Sequence, residues 1–238
     1  MKFIYLFLVM LFVVSCGGER EITSEQLQKR NGLSYVVNET DPFSGLVIYM
    51  ATTEKGRSEI HFTNGKPNGL YTHWLKDGQK VMEYNYKEGN RHGLQKWWYK
   101  NGQKRFETYY KDERKHGPDT VWYESGQKVR EYNYEEGRQI GLGTEWYENG
   151  HTKSITNYKD RKQHGLWAEW HENGQKIFET NYKDGKRHGL NARWYKNGQK
   201  KYENNYKDGK RHGLSTEWHK NGEKSYERNY KDGEPNDL

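Results

Sequence analysis

The sequence predicts an all-β fold, an elongated array of antiparallel β-hairpins in which one degenerate capping repeat precedes seven regular units of 24 residues. The first reason is the fixed period, which is typical of arrays whose units pack only against their neighbours. The second is the alternation of residue types between Asn-Gly and Asp-Gly turns within each unit. Alternation with period two favours strands, and these turn pairs favour hairpins.

A tryptophan and a tyrosine mark the repeat. Because neighbouring strands lie about 4.7–4.9 Å apart, equivalent residues of successive units should lie about 10 Å apart. We therefore expect a continuous aromatic stripe that serves either as core or as a binding face. The tryptophan column, interpreted as structural, comprises Trp74, Trp98, Trp122, Trp146, Trp170, Trp194 and Trp218. The tyrosine column comprises Tyr86, Tyr110, Tyr134, Tyr158, Tyr182, Tyr206 and Tyr230.

The N-terminus has the features of a secretory signal. Lys2 precedes an unbroken apolar run over residues 3–14, followed by Ser15 and Cys16. The run is too short for a comfortable membrane span, which indicates a signal peptide at residues 1–15. The ending VVSC resembles the lipobox of bacterial lipoproteins, which implies lipid attachment at Cys16 and a location in the bacterial cell envelope. The alternative is a plain signal peptide with an incidental cysteine.

The rest of the chain divides into three parts. Residues 16–31 are polar and lack apolar periodicity, so we expect a flexible linker between the lipid and the array. Residues 32–68 should hold an N-terminal strand, LSYVV, and a degenerate copy of the repeat in which Met50 takes the place of the tryptophan. Terminal repeats are usually atypical because they close off an exposed edge. Residues 69–238 are the seven regular units.

The loop between the two strands of a unit has two interpretations. A two-residue Asn-Gly loop would put Trp98 on the same face as Glu107. A three-residue loop over residues 100–102, a type I turn closed by a left-handed glycine, would put Trp98 on the same face as Phe106 and Tyr110. We predict the three-residue loop, because it gives each hairpin one aromatic face and one charged face.

Two further sets of side chains are candidates for a ligand surface. The residue after each tryptophan is mostly tyrosine or histidine and should point away from the tryptophan face. The Asp-Gly turns carry basic residues that could meet acidic glycans or anionic lipid headgroups, or could simply protect the sheet edge. The candidate surface comprises Tyr99, Tyr123, Tyr147, His171, Tyr195, His219, Lys186, Arg187, Lys210 and Arg211.

Neither the histidine column nor the glutamate column predicts catalysis or metal binding. Histidines in successive units would lie roughly 10 Å apart along the sheet, whereas metal–nitrogen bonds are about 2.0–2.1 Å long. Local hydrogen bonding in the turn is the simpler interpretation. The glutamates lie beside lysines and are interpreted as cross-strand charge pairs on a solvated face. We therefore expect no enzyme activity, no metal and no cofactor.

The unit also resembles a known repeat. The pattern GLWxEWYENGQKxxExxYKDGKxHG, with RNGLSYVV and DPFSG before it, is similar to the MORN-repeat variant of the YwqK-type antitoxin family over residues 30–238. The resemblance implies an elongated β-hairpin array that serves binding. An exported, lipidated protein cannot neutralise a toxin in its own cytosol, so the antitoxin label would imply immunity against an incoming toxin at the envelope.

These features together predict a lipid-anchored envelope protein that presents its array to a partner protein. The alternative is binding of an envelope ligand, either a glycan or an anionic phospholipid, through the repeated aromatic and basic columns. A ligand binder should repeat its outward residues from unit to unit, whereas a protein binder should vary them. The net charge of +7 is not taken as a sign of nucleic-acid binding, because the protein is expected to leave the cytosol.

Overall fold

The computed structural model describes residues 18–50 and 56–236. The predicted signal peptide and Cys16 lie outside the described residues. Within the described ranges the chain forms 22 strands and one short 3-10 turn. Twenty of these strands belong to one sheet, and the remaining two form a separate hairpin. The same ranges contain no helix long and apolar enough to cross a bilayer.

The strands follow one another with few breaks. The cap contains β1 (Glu21–Thr23), the 3-10 turn (Ser24–Gln26), β2 (Leu27–Arg30), β3 (Leu33–Val36), β4 (Gly45–Met50) and β5 (Arg57–Thr63). The first four regular units contain β6 (Lys66–Trp74), β7 (Lys80–Lys87), β8 (Asn90–Arg91), β9 (Gly93–Trp98), β10 (Lys104–Lys111), β11 (Arg114–Trp122), β12 (Lys128–Glu135), β13 (Arg138–Trp146) and β14 (Thr152–Lys159). The last three contain β15 (Lys162–Gln163), β16 (Gly165–Trp170), β17 (Lys176–Lys183), β18 (Lys186–Trp194), β19 (Lys200–Lys207), β20 (Lys210–Trp218), β21 (Lys224–Lys231) and β22 (Glu234–Pro235).

The sheet is an antiparallel meander. From β4 to β22 each strand pairs with the next along the chain, with two exceptions. Strand β7 pairs with both the short β8 and the following β9, and β14 pairs with both the short β15 and the following β16. At the N-terminal end β1 pairs in parallel with β4. The predicted elongated array of antiparallel hairpins is therefore confirmed.

The two kinds of turn differ in length. In the second regular unit the Tyr99 amide donates to the Gln103 carbonyl at 2.8 Å, and the Gly102 amide donates to the Tyr99 carbonyl at 3.0 Å. Gly102 has φ of 84°, so the three-residue loop over residues 100–102 has the predicted form. The other turns are two-residue turns such as Asp184-Gly185, with φ of 52° and 83°, which is the pattern of a type I′ turn.

A β-bulge follows every three-residue loop. Lys104 lies opposite Trp98, but Phe106 lies opposite Trp97, so Arg105 is an extra residue on its strand. The same one-residue shift occurs at the tryptophan of all seven regular units. Because of the one extra residue, every later side chain of the strand points to the face opposite to the one that regular alternation would give.

The bulge makes the predicted distribution of side chains wrong although the loop is right. Trp98 was expected to share a face with Phe106 and Tyr110, with Glu107 on the other side. In the structure Trp98 and Leu94 share a face with Glu107. Glu107 lies directly opposite Lys96, and Leu94, Lys96 and Trp98 follow one another at two-residue intervals along β9, so their side chains point to the same side. Phe106 and Tyr110 lie on the opposite face. The tryptophan and tyrosine columns therefore face in opposite directions.

The apolar core of the described residues lies in the cap. It comprises Ile22, Val36, Phe43, Val47, Ile60 and Phe62, with Val47 fully buried. The amide of Leu46 donates to the Arg20 carbonyl at 2.8 Å, and a Cβ on Gly45 would lie 2.1 Å from that oxygen. Glycine at residue 45 thus permits β1 to approach β4.

The expectation of a flexible linker over residues 16–31 is wrong for its second half. Residues 21–30 form β1, the 3-10 turn and β2, and Ile22 is only 6% exposed within the apolar core. The physical reason is that a three-residue strand needs just one buried side chain and a backbone partner, and β4 supplies the partner. The strand predicted at LSYVV corresponds to β3.

We predict that Ile22→Ala destabilises the protein by about 2–4 kcal/mol, because it leaves a cavity in the apolar core. Leu142→Ala is the matched control, since that side chain is 56% exposed and surface changes usually stay within about 0.5 kcal/mol. Urea unfolding followed by circular dichroism measures both. Equal stability of Ile22→Ala and the parent would show that β1 does not form part of the folded cap.

Candidate interaction surface

One face of the sheet, here called the regular face, carries the tryptophan column and repeats almost unchanged. A cation lies over every indole of the column, at 5.2–5.9 Å from the nearest ring centroid. Lys176 lies between Trp170 and Trp194, at 5.9 and 5.2 Å. Such contacts contribute about 0.5–1 kcal/mol each at exposed sites. Each indole of the column thus has a cation partner within the array.

The same lysines also hold the glutamate column. Lys104 donates to Glu107 at 2.8 Å. Residues three apart in a regular strand point to opposite faces, so this pair depends on the bulge at Arg105. The partners of these pairs lie on one strand, so the predicted cross-strand arrangement does not describe them. A cross-strand pair of the predicted kind joins Lys96 to Glu83 at 3.9 Å. The pairs are Lys80–Glu83, Lys104–Glu107, Lys128–Glu131, Lys176–Glu179, Lys200–Glu203 and Lys224–Glu227.

The tyrosines that follow the tryptophans connect successive units. The Tyr99 hydroxyl donates to the Trp122 carbonyl at 2.8 Å, and equivalent bonds link Tyr123 to Trp146, Tyr147 to Trp170 and Tyr195 to Trp218. In the described residues His171 and His219, at the same position, form no side-chain hydrogen bond of this kind. The tyrosine hydroxyls in the predicted ligand surface therefore have a structural partner.

The basic residues of the predicted ligand surface lie at the opposite edge of the sheet from these tyrosines. Arg187 stacks over Tyr206 at 5.5 Å, and Arg211 over Tyr230 at 5.2 Å. Hydrogen bonding to tyrosine hydroxyls, chiefly that of Tyr206, raises the pKa of Arg211. Lys186 and Lys210 are exposed beside these turns. The ten candidate residues thus form two separate surfaces rather than one.

The histidine column makes local contacts. The Nδ1 atom of His188 lies 3.4 Å from the Asp208 carboxylate of the next turn, and His92, His164 and His212 have equivalent contacts with Asp112, Asp184 and Asp232. Among the described residues no three His, Cys, Asp or Glu side chains are grouped closely enough to hold a metal ion. The column therefore has the geometry of a turn-to-turn contact.

The other face, here called the variable face, changes from unit to unit. Its two columns lie directly opposite one another across the hairpins, as Trp97 lies opposite Phe106. One column comprises His73, Trp97, Val121, Glu145, Glu169, Arg193 and Glu217. The other comprises Met82, Phe106, Arg130, Ser154, Phe178, Tyr202 and Tyr226.

Aromatic side chains cluster at the N-terminal end of the variable face. Trp97 packs on Phe106 with ring centroids 5.1 Å apart and on Tyr84 at 6.2 Å, with interplanar angles of 30° and 33°. The Trp97 indole donates to the Tyr84 hydroxyl at 2.7 Å, and Tyr84 packs on Tyr71 at 5.9 Å. These tilted ring contacts join the four side chains into one cluster.

A charged cluster follows in the middle of the variable face. Asp119 is 2% exposed and accepts a hydrogen bond from Lys115 at 2.8 Å, with Arg130 at 3.6 Å. Tyr132 donates to Glu145. Burial, reinforced by this carboxylate, raises the pKa of the Tyr132 phenol far above its usual value. No other described unit carries this combination, so the cluster gives the array a distinct centre.

Five stretches of the chain match a known family model. The model described as MORN repeat variant matches residues 91–112, 139–160, 163–184, 187–208 and 211–232. Each match runs from one two-residue turn to the next and contains one hairpin. No curated protein matches the chain.

We expect Tyr147→Phe to lower the free energy of unfolding by about 1 kcal/mol, because the Trp170 carbonyl loses its donor. Tyr109→Phe is the control, since Tyr109 is 38% exposed and its hydroxyl has no hydrogen-bond partner in the described residues. Urea unfolding of the two variants should separate them. Equal stability would mean that water replaces the tyrosine hydroxyl without cost.

Trp170→Ala should destabilise the array by about 3 kcal/mol, through lost packing inside the sheet. Trp218→Ala should cost clearly less, because no further tryptophan follows it and only the last unit depends on it. Thermal and urea unfolding of both variants test this difference. Equal losses would contradict an array in which units are stabilised only by their neighbours.

Proposed function

We propose that this chain, whose repeats are MORN repeat variants, is a non-enzymatic interaction scaffold that binds a partner protein through its variable face. The supporting observation is the contrast between the two faces. On the regular face the indoles, lysines and glutamates satisfy one another in nearly every unit. On the variable face the paired columns carry apolar, aromatic, acidic and basic side chains in an order that does not repeat.

A repeated ligand, such as a polysaccharide, would require a repeated set of free contacts. The tryptophan column has lysine or arginine over its rings, and the tyrosines after it donate their hydroxyls to backbone carbonyls. The rings of the aromatic cluster on the variable face pack against one another, so part of their surface is covered within the array. These contacts favour a protein partner over binding of glycan by the aromatic columns.

The location of the scaffold follows from the N-terminal sequence. Lipidation of Cys16 would hold the protein on a membrane of the bacterial envelope, since stably anchored proteins carry more than one acyl chain. From there the variable face would meet a protein partner outside the cytosol. Immunity against an incoming toxin is one role of this kind. The envelope location is itself part of the proposal.

The proposal is tested by capturing partners from envelope extract with residues 17–238 as bait. The double variant Arg193→Glu, Glu217→Lys changes two exposed residues of the variable face and keeps the net charge. We expect it to reduce capture of a stoichiometric partner at least tenfold, because like charges across an interface cost several kcal/mol. Both positions are exposed, so the fold should persist.

The control is the double variant Leu142→Gln, Leu214→Gln on the regular face, where the side chains are 56% and 49% exposed. It should capture the partner as the parent does. Sedimentation with purified peptidoglycan and with anionic liposomes is measured in parallel. Sedimentation of the protein with peptidoglycan or liposomes, with no protein partner captured, would instead support binding of an envelope ligand. An equal loss of partner capture in both double variants would contradict the assignment of binding to the variable face.

A further inference from the structure

Like charges lie directly opposite each other at three consecutive turns of the array. Lys159 pairs with Lys162, Lys183 with Lys186, and Lys207 with Lys210, each pair flanking a two-residue turn. Like charges in directly opposed positions destabilise a hairpin. All six lysines are exposed. Together with Arg161 they form what is here called the basic rim: Lys159, Arg161, Lys162, Lys183, Lys186, Lys207 and Lys210.

These charges are not neutralised within the described residues. None of the seven forms a salt bridge there. The aspartates of the adjacent turns, Asp184 and Asp208, lie against His164 and His188 at 3.4 Å. The equivalent positions of the other regular units vary: two hold opposite charges, Glu135 with Arg138 and Lys231 with Glu234. One has Lys111 opposite Arg114, and one has Lys87 opposite Asn90. The fold therefore does not require lysine at these positions.

Arg161 adds a second unfavourable local feature at the same edge. It has φ of 66° in the second position of its turn, where the following turns have Gly185, Gly209 and Gly233 with φ of 83°, 89° and 102°. The left-handed conformation disfavours residues with a side chain, and glycine would adopt it without strain. A cation thus occupies a position where glycine would be more stable.

The lysine stems are directed along the rim. A Cβ placed on Gly185 would lie 3.6 Å from the Lys162 Cβ and 3.8 Å from its Cδ. Gly209 and Lys186 are related in the same way, at 3.8 Å, as are Gly233 and Lys210. Each of these three lysines therefore lies beside the next turn of the rim.

We propose that the basic rim binds an extended acidic segment of the partner protein. This inference rests on the proposed scaffold function and names the chemistry of its partner. Successive units are about 10 Å apart, which matches three residues of extended chain at about 3.3 Å each. A strand with a carboxylate at every third residue would place one carboxylate beside each pair of opposed lysines. Binding would relieve the repulsion that the free protein carries.

The test uses the full-length protein in detergent and a fluorescent peptide with glutamate at every third residue. Fluorescence anisotropy should show salt-sensitive binding that weakens about tenfold in Lys162→Gln, Lys186→Gln, Lys210→Gln. The matched control is Lys100→Gln, Lys196→Gln, Lys220→Gln, which removes the same charge from exposed lysines at the opposite edge. The control should bind as the parent does. Equal weakening in both triple variants would overturn the proposal.

Arg161→Gly supplies a second, independent readout. We expect a higher unfolding temperature together with weaker peptide binding, because glycine relieves the backbone but removes a cation. A variant that is more stable and binds unchanged would exclude Arg161 from the site. Tighter binding to anionic liposomes than to the peptide would replace the protein segment by a lipid surface. Capture of a partner by a rim variant that no longer binds the peptide would reject the rim while leaving the scaffold function intact.

Discussion

One extra residue in each hairpin, the bulge after the three-residue loop, determines the chemistry of both faces. It places a lysine and a glutamate three residues apart on the same side of a strand, where regular alternation would separate them. It also puts the tryptophan column beside those charges and the tyrosine column on the opposite face. Without the bulge, the lysines could not contact an indole and a carboxylate together.

The array differs from a globular domain in how it is stabilised. The apolar core of the described residues lies in the cap, around Val47 and Phe43. The regular units form a single layer, in which cation–indole contacts, tyrosine-to-carbonyl hydrogen bonds and backbone pairing connect each unit to the next. Stability is then the sum of contacts between neighbours. These contacts recur along the regular face and at the edges, whereas the contacts of the variable face differ from unit to unit.

Most of the architecture was accessible from the sequence, because period and turn chemistry are local signals. The hairpins, the three-residue loop and the degenerate cap all follow from such signals. The bulge does not, because regular alternation after the loop would already separate aromatic from charged residues. Only the pairing of Lys104 with Trp98 and of Phe106 with Trp97 reveals the extra residue. The strand at Ile22 escaped detection because its partner lies more than twenty residues away. That the candidate residues lie at two opposite edges of the sheet follows only when the strand lengths and the strand pairings are both known.

The constant unit has a consequence for how such a chain changes in evolution. Every regular unit begins and ends at the same kind of turn and carries the same bulge, so a whole unit can be gained or lost by recombination without disturbing the joins. Each such event would move the cap away from or towards the C-terminal units by one step of about 10 Å. The length of the array is thus set by the number of units, while the surfaces at its two ends stay the same.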